Sequence, residues 1–231
     1  MGDLGEMYKS GAYLENNETW HAEASQWKAT QIAKILGDNG ITPHSVCEVG
    51  CGAGEILRQL SLRYETANFT GYELSPQAFE LCKQREGDRT KYFLESPLEN
   101  DTFFDCLLCI DVFEHVEDYM GFVRALKSKA THKVFHIPLD ISILSVLRAT
   151  FLKDRKNIGH LHYFTRETAL ATLIDCGYEI VDSLYTTAFL DLPPKTLKAK
   201  TIRFPRRLMF RISQHLAVRV LGGCSLLVLA K

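Results

Sequence analysis

Residues 46–54 read VCEVGCGAG, an apolar run that passes into three glycines separated by single residues. The run is typical of a β-strand, and the EILRQL that follows at 55–60 is typical of a helix. In open α/β sheets, a strand, a tight glycine turn and a helix together hold nucleoside-bearing ligands. Glycine is needed there because the turn requires positive φ angles and because a Cβ would keep the ligand from the backbone. We therefore expect a ligand site at Glu48, Gly50, Gly52 and Gly54.

An acidic residue closes the next apolar segment along the chain. Glu73 lies 19 residues beyond Gly54 and follows the run FTGY at 69–72. A carboxylate at the end of the second strand of such a sheet accepts hydrogen bonds from ribose hydroxyls. The glycine spacing differs from the Gly-x-Gly-x-x-Gly fingerprint of dinucleotide sites, so no pyrophosphate contact is expected. The sequence predicts a ribose site at Glu73, with Leu74 beside it.

Four segments resemble, in order and spacing, the motifs of class I S-adenosylmethionine-dependent methyltransferases. Residues 48–54 resemble their first motif, and GYELS at 71–75 resembles their second. FDCLLCID at 104–111 resembles the fourth strand with its active-site end, and residues 162–180 resemble the segment that leads into the sixth strand. The resemblance covers roughly residues 40–185. It implies that S-adenosylmethionine is the cofactor.

The resemblance also implies a fold and further contacts. It implies a Rossmann-like α/β fold, with a seven-stranded, mostly parallel sheet, helices on both faces and an antiparallel last strand. Ser96 or Glu95 occupies the place where the family has an acid against the adenine amino group. Asp111 ends the fourth strand, whose carboxyl end faces the cofactor in such a sheet. Asp111 is therefore expected at the cofactor as well.

Alternating helical and strand-like segments independently favour a parallel sheet between helices. Helices are expected at about 20–37, 53–64, 76–84, 117–128, 142–152, 166–176 and 206–215. Strands are expected at about 45–50, 68–73, 91–95, 105–110, 132–137, 178–185 and 224–230. The 231 residues fit one domain. We divide it into an N-terminal lid helix (1–40), a cofactor-binding core (41–190), a basic arm (191–223) and the last strand (224–231).

Cysteines and apolar segments favour a cytoplasmic protein without a membrane span. The seven cysteines are odd in number and mostly fall within apolar patterns, as expected of reduced core thiols. Cys106 and Cys109 would point to opposite faces of one strand, which disfavours a redox or zinc site. The N-terminus lacks the apolar run of a signal peptide. The longest apolar stretch, 220–230, is too short to cross a bilayer.

Charge is distributed unevenly along a chain whose net charge is −1. Residues 1–120 carry a net charge of −12 and residues 121–231 one of +11. No acid occurs from Leu192 through Gln214, a segment that contains Lys195, Lys198, Lys200, Arg203, Arg206, Arg207 and Arg211. The basic arm is either a solvated face or a surface for an anionic substrate, a phospholipid membrane or a nucleic acid. Apolar residues between its charges allow peripheral contact with a membrane, although Pro205 interrupts the helical pattern.

Two acids and a histidine follow the fourth strand in the sequence DVFEH at 111–115. If a helical turn begins at Asp111, the side chains of Asp111, Glu114 and His115 share one face at the pocket mouth. Two carboxylates and an imidazole are a partial ligand set for Mg²⁺, Mn²⁺, Fe²⁺ or Zn²⁺. A further ligand could come from His160 or His162.

This cluster resembles the acid-x-x-Glu-His pattern, with a later histidine, of metal-dependent O-methyltransferases. Two such groups act in ubiquinone biosynthesis and on the 3′ ends of small RNAs. Asp111, Glu114 and His115 match the cluster and His160 matches the later histidine, but those families have glutamate where this chain has Asp111. The alternative is a metal-free site, in which the histidine caps a helix or orders the pocket.

Methyl transfer to a nucleophile needs in-line approach, desolvation and often a base. A bound ion would lower the pKa of a substrate hydroxyl and orient that hydroxyl. Without the ion, His115 or His160 could accept the proton, because an imidazole titrates near neutrality. His136, at the end of the fifth strand, is a third candidate for which a satisfied core position is favoured.

In the resembling fold, the N-terminal segment covers the cofactor as a lid. Tyr13, Trp20 and His21 are therefore candidates for contact with cofactor or substrate. Ordinary packing of a terminal helix explains Trp20 equally well.

Three functions follow from these observations. The leading one is methylation of an oxygen on a small or carrier-borne acceptor, with or without a divalent ion. The second is RNA 2′-O-methylation, which the net charge of −1 and the lack of an evident RNA-binding module disfavour. The third is a non-catalytic S-adenosylmethionine-binding protein, which the retention of the three glycines, Glu73 and a candidate base disfavours.

Overall fold

Seven strands form one sheet in the computed structural model, which describes residues 22–194 and 197–231. The strands are β1 (Ser45–Val49), β2 (Asn68–Tyr72), β3 (Thr90–Phe93), β4 (Phe104–Ile110), β5 (Ala130–Pro138), β6 (Ile180–Thr186) and β7 (Ser225–Ala230). Strands β1 to β5 pair in parallel, whereas β7 runs antiparallel to both β5 and β6. The predicted Rossmann-like sheet with an antiparallel last strand is confirmed.

The order of the strands across the sheet is β3-β2-β1-β4-β5-β7-β6. From β1 the chain moves outward through β2 and β3, and then returns to β4 on the other side of β1. The connections that leave β1 and β4 therefore diverge, and an open crevice forms at the carboxyl ends of these two strands. The sheet topology thus places a binding site where the glycine turn follows β1.

Helices cover both faces of the sheet. The α-helices of the described residues are α1 (Ser25–Asp38), α2 (Glu55–Ser61), α3 (Pro76–Lys83), α4 (Tyr119–Leu126), α5 (Ile143–Leu147), α6 (Phe151–Ile158), α7 (Arg166–Asp175), α8 (Ala188–Asp191), α9 (Leu197–Ile212) and α10 (Gln214–Leu221). The prediction of one helix over 142–152 is wrong. Ala149 has a φ of 48°, which ends the right-handed path and separates α5 from α6.

The basic arm also differs from its prediction. A helix was expected to begin after Pro205, but α9 begins at Leu197 and runs through the proline. Proline removes one backbone donor and crowds the carbonyl four residues earlier. The following turn is nevertheless held by contacts outside the helix, because the Arg206 guanidinium donates to the carbonyls of Leu221 (2.8 Å) and Gly222 (3.0 Å). The helix ends instead at Ser213, whose hydroxyl accepts from the Leu216 amide and begins α10.

Each face of the sheet has its own apolar layer. On one face, Phe113 and Phe135 pack among residues of α4 and α7. On the other face, Leu108 and Val134 pack among residues of α1 and α2. Cys109 belongs to the first layer and Cys106 to the second, so the prediction that they point to opposite faces is confirmed. All seven cysteines are free thiols.

No helix in the described part of the chain is long and apolar enough to cross a membrane. The apolar stretch at 220–230 instead ends in β7, whose residues Leu226–Ala230 are buried between β5 and β6. The prediction of a last strand there is confirmed.

The central strand β4 gives a direct test of the core. Leu107 is fully buried, and Leu107→Ala is expected to lower the free energy of unfolding by about 2–5 kcal/mol, because it leaves a cavity. Urea unfolding followed by circular dichroism measures this loss. The matched control is Leu62→Ala, at a leucine 65% exposed, which should change stability by less than about 0.5 kcal/mol. Equal losses in both variants would contradict the assignment of the core.

Candidate functional site

A cavity of about 540 Å³ lies at the carboxyl edge of the sheet. Its lining comes from the glycine turn after β1, the ends of β2 and β4, helix α1 and the segment after α6. Predicted site residues in the lining are Glu48, Gly50, Gly52, Glu73, Leu74, Ser96, Asp111, His115 and His160. Predicted residues from five separated segments of the sequence therefore share one continuous space.

The turn between β1 and α2 explains the three glycines. Gly50, Gly52 and Gly54 have φ angles of 62°, 56° and 75°, in the region that residues with a Cβ rarely adopt. Space excludes a side chain as well: a Cβ on Gly54 would lie 2.6 Å from Cε1 of Tyr92. The Tyr92 hydroxyl donates to the Gly54 carbonyl at 2.8 Å, which fixes the turn against β3.

Glu73 is fixed by backbone amides. Its Oε1 accepts from the amides of Leu74 (2.9 Å) and Ser75 (2.8 Å), and its Oε2 accepts from the Gly52 amide (2.8 Å). Burial raises the pKa of Glu73, while these amides favour the ionised form. Each carboxylate oxygen can accept two hydrogen bonds, so Oε2 retains capacity for a ligand hydroxyl. This geometry suits the ribose contact predicted from the sequence.

Glu48 is a second buried acid at the cavity. Only 2% of the residue is exposed, and its Oε2 has no hydrogen-bond partner among the described residues. Burial raises the pKa of Glu48 well above its usual value, and Lys28 opposes this only in part. Glu48 lines the cavity, and a ligand cation or hydroxyl bound there could satisfy the unpaired oxygen.

Asp111 lies in a network that reaches from α1 to β6. Its Oδ2 is 2.6 Å from the Lys28 Nζ, and its Oδ1 is 2.6 Å from His136 Nδ1. The other ring nitrogen of His136 lies 2.8 Å from the Thr186 hydroxyl. Burial opposes ionisation of Asp111, but His136 and Lys28 overcome it and hold the pKa of Asp111 well below its usual value. His136 is buried with both nitrogens bonded, as favoured from the sequence.

The predicted helical turn beginning at Asp111 is wrong. Asp111 has a φ of 55°, and the following turn is a 3₁₀-helix over Phe113–His115. A residue in the left-handed region cannot continue into a helical face, so Asp111 does not point with Glu114 and His115. Its carboxylate turns toward Lys28 and His136 instead.

Glu114, His115 and His160 do come together. One potential ligand atom from each residue lies within 4.8 Å of the others, and the rings of the two histidines are 4.9 Å apart. Asp111 is not part of this group. The amides of Leu161 (2.8 Å) and His162 (3.1 Å) both donate to the Glu114 carbonyl, and these bonds bring the later segment to the end of β4.

The environment of this group is unusual for charged residues. Glu114 is fully buried, and neither of its carboxylate oxygens has a hydrogen-bond partner among the described residues. Burial, and then the charge of Asp111, raise the pKa of Glu114 well above its usual value. Burial, and then the adjacent His160, lower the pKa of His115 to about 4, so its imidazole is neutral at neutral pH. A divalent ion would satisfy such a carboxylate and would bind such an imidazole.

The two later histidines have different roles. His160 Nδ1 lies 2.7 Å from Asp140 Oδ2, and His160 itself borders the cavity. His162 Nε2 lies 2.9 Å from the Val116 carbonyl and is not in the group. Of the two candidates left open by the sequence, His160 is therefore the one beside Glu114 and His115.

The remaining predicted contacts are at the edge of the cavity. The Ser96 hydroxyl accepts from the Leu98 amide at 3.2 Å and begins a 3₁₀-helix, and Glu95 lies beside it in the lining. Leu74 is 60% exposed in the lining. Tyr13, Trp20 and His21 lie outside the described residues.

Sequence reasoning missed Lys28 and Asp140. Lys28 is next to Ala29 on the buried face of α1, where a cation is rare unless it is paired. A lysine at this position therefore predicts a buried ion pair. Asp140 follows β5 in an irregular segment, and nothing in the sequence relates it to His160, which is 20 residues away.

A model of the methyltransferase domain family matches residues 20–183, which are most of the chain and include nearly all of the residues that line the cavity. The chain belongs to this family. The resemblance seen in the sequence motifs is thereby confirmed.

Curated relatives of this methyltransferase-domain chain match part of its length. The ubiquinone biosynthesis O-methyltransferase of Colwellia psychrerythraea is 31% identical over 140 residues, which are 57% of this chain and 56% of the relative. The protein of the same name from Rickettsia prowazekii is 29% identical over 124 residues, 52% of this chain and 46% of the relative. The chain thus spans about half the length of the curated relatives that it matches.

Solved structures confirm the methyltransferase fold. The magnesium protoporphyrin IX methyltransferase of Synechocystis, crystallised with bound S-adenosylmethionine, superposes with a TM-score of 0.64. The match covers 100% of this chain and 97% of that chain at 13% identity. At this identity the match establishes the fold and not the substrate.

The glycine turn gives a test of local strain. Gly54→Ala is expected to lower the free energy of unfolding by at least about 1–2 kcal/mol, because of its positive φ and the contact with Tyr92. Gly87→Ala is the matched control, since nothing lies within 4 Å of its added Cβ, and stability should stay within about 1 kcal/mol. Both values come from urea unfolding. A Gly54→Ala variant with the same free energy of unfolding as the parent would contradict the turn geometry.

Proposed function

We propose that the chain is an S-adenosylmethionine-dependent methyltransferase that methylates an oxygen of a small or carrier-borne acceptor. The observation that carries the proposal is the shared cavity: the glycine turn and Glu73 line the same space as His115 and His160. A cofactor site and candidate bases are therefore adjacent. The two relatives named as ubiquinone biosynthesis O-methyltransferases favour oxygen as the accepting atom.

The lining residues fit the chemical groups of S-adenosylmethionine. The turn at Gly50 and Gly52 presents backbone without side chains, and Glu73 Oε2 retains an acceptor site for a ribose hydroxyl. Lys28 is the cation among the described lining residues and suits a carboxylate, whereas the unpaired oxygen of Glu48 suits an ammonium group. Ser96 or Glu95 lies at the edge where the adenine amino group would bind. The bound cofactor supplies an electrophilic methyl group on a sulfonium.

The residues near the acceptor suit removal of a proton from a hydroxyl. His115 is neutral at neutral pH because its pKa is lowered to about 4. Asp140 holds one nitrogen of His160, which fixes the ring and favours a single tautomer. We propose that, without a bound ion, His160, with His115 beside it, accepts the hydroxyl proton as the oxygen attacks the methyl group.

We also propose that Glu114, His115 and His160 bind a divalent ion. The fit rests on the buried Glu114 carboxylate, which has no hydrogen-bond partner among the described residues. It also rests on two imidazoles whose candidate ligand atoms lie within 4.8 Å of that carboxylate and of each other. One carboxylate and two imidazoles suit Zn²⁺, Fe²⁺ or Mn²⁺ better than Mg²⁺, which prefers oxygen. Such an ion lowers the pKa of a coordinated hydroxyl. Asp111, predicted as a ligand, is engaged with Lys28 and His136, so the proposed set has three protein ligands.

Two further statements belong to the proposal. All seven cysteines are free, including Cys51 and Cys82 whose sulfur atoms are 3.7 Å apart, which favours a reducing, cytoplasmic setting. The basic arm would attract an anionic acceptor, since no acid follows Asp191.

Transfer of a labelled methyl group tests the reaction. Purified protein is incubated with labelled S-adenosylmethionine and either a catechol, an aliphatic amine or RNA, and the products are separated. Label on a catechol oxygen is the expected result. Label on RNA ribose would instead favour RNA 2′-O-methylation. Cofactor binding without transfer to any acceptor would favour the non-catalytic alternative.

Cofactor binding can be tested without an acceptor. Glu73→Gln is expected to weaken binding of S-adenosylhomocysteine by about 10- to 100-fold, because the variant loses charge-assisted hydrogen bonds at the ribose and in the turn. Titration calorimetry gives the dissociation constants. Glu80→Gln, at an exposed acid on α3, is the matched control and should bind as the parent does. Equal affinity in both variants would contradict the ribose site.

The metal content of the purified protein tests whether Glu114, His115 and His160 bind a divalent ion. The parent is expected to retain about one divalent ion after dialysis, and His160→Ala is expected to lose it. His44→Ala, at an exposed histidine, should retain the ion. Asp111→Asn should also retain it if Glu114, His115 and His160 are the protein ligands. A metal-free parent that still transfers methyl groups would refute the ion and leave the proposed base unaffected.

A further inference from the structure

Helix α9 exposes a row of apolar side chains to solvent. Leu197, Phe204, Leu208 and Ile212 are 83%, 75%, 53% and 76% exposed. Their spacing of seven, four and four residues places them along one face of the helix. We call these four residues the outer row. A surface helix of a soluble domain normally turns such a row toward the core.

The opposite face of α9 is the one that packs on the protein. Arg206 donates to the Leu221 and Gly222 carbonyls, and its guanidinium lies 4.9 Å from the centre of the Phe189 ring. Phe210 contacts Tyr185 of β6, with 6.5 Å between ring centres. These contacts fix the rotation of the helix about its axis. The outer row is therefore held outward, and α9 cannot bury it by turning.

Cations lie next to the outer row. Lys200, Arg207 and Arg211 are exposed and occur at helical positions that flank Phe204 and Leu208 on one side. No acidic residue occurs after Asp191, so neither α9 nor α10 carries an acid of its own to neutralise them. An apolar row flanked by cations is the pattern of a helix that lies in the interface of an anionic membrane.

We propose that the outer row and its cations dock α9 on the surface of an anionic phospholipid membrane. The apolar side chains would enter the acyl boundary while the cations contact lipid phosphates. Charge favours this occupant over a second copy of the chain that pairs through the same helix, because that copy would bring an equal set of cations to the interface. The apolar row favours it over RNA, whose phosphates would bind the cations alone. The arm contacts the surface without spanning the bilayer.

Within the proposed function, membrane docking would favour a carrier-borne acceptor over a small soluble one. Docking itself does not depend on methyl transfer. Helix α9 packs on α10, and α10 packs on α5. The segment that follows α5 through α6 ends at His160 in the cavity lining. The docking surface is thus structurally connected to the side of the cavity that holds the candidate base.

Flotation with vesicles tests the proposal on the full chain. The protein is mixed at low salt with vesicles of phosphatidylcholine, or of phosphatidylcholine and phosphatidylglycerol in equal parts. The parent is expected to float with the anionic vesicles and to remain in solution with the neutral ones. Added salt should weaken the binding, because it screens the cations.

Two variants separate the contributions of the outer row and of the cations. Phe204→Asn, Leu208→Asn and Ile212→Asn combined in one chain should lower the partition coefficient at least about tenfold. Lys200→Gln and Arg211→Gln combined should lower it about fivefold per cation. The matched control combines Leu62→Asn, Phe103→Asn and Ile174→Asn, three apolar residues 65%, 60% and 57% exposed elsewhere, and should bind as the parent does.

Several outcomes would overturn the proposal. It is refuted if the parent fails to float with anionic vesicles, or if the outer-row variant floats as well as the control. A parent that sediments as a dimer, with an outer-row variant that is monomeric, would assign the surface to a second copy. Binding to RNA that depends on the cations and not on the outer row would assign it to nucleic acid. Equal melting temperatures of the variants and the parent confirm that α9 remains folded.

Discussion

Three positive φ angles within five residues constrain the turn between β1 and α2, and much of the surrounding structure depends on them. Gly54 accepts a hydrogen bond from Tyr92 of β3 and approaches its ring too closely for a Cβ, while the Gly52 amide donates to Glu73 after β2. The turn therefore connects three adjacent strands at their carboxyl ends. Because those ends share one edge of a parallel sheet, the fixed turn also defines the position of the cavity.

Asp111 and Glu114 are close in sequence but lie in different electrostatic environments. Asp111 is paired with Lys28 and His136, which stabilise its ionised form. Glu114 is fully buried without a hydrogen-bond partner among the described residues, so the same neighbourhood disfavours its charge. Burial of a carboxylate that lacks hydrogen bonds is costly unless a ligand compensates for it. This difference makes Glu114, and not Asp111, the residue whose environment requires a bound cation or a proton.

The basic arm shows how tertiary contacts override a local signal. Pro205 weakens α9 by removing one backbone donor, yet the helix continues because Arg206 and Phe210 anchor it to α8, α10 and β6. The same anchors decide which face is presented to solvent. They leave the apolar outer row exposed beside Lys200 and Arg211, an arrangement that packing alone does not favour.

The sequence by itself determined the sheet, the glycine turn and the positions of Glu73, His115 and His160, because local patterns and strand ends specify them. The orientation of Asp111 and the contact between Asp140 and His160 depend on backbone geometry that exists only in the folded chain. The φ of 55° at Asp111 turns that residue from the predicted metal group toward Lys28, which lies 83 positions earlier. Asp140 contacts His160 only because the chain after β5 folds back on itself. Hydrogen bonds from the backbone amides of Leu161 and His162 to the Glu114 carbonyl hold the His160 segment in place. Contacts between residues far apart in sequence carry no local pattern, so the tertiary structure alone decides them.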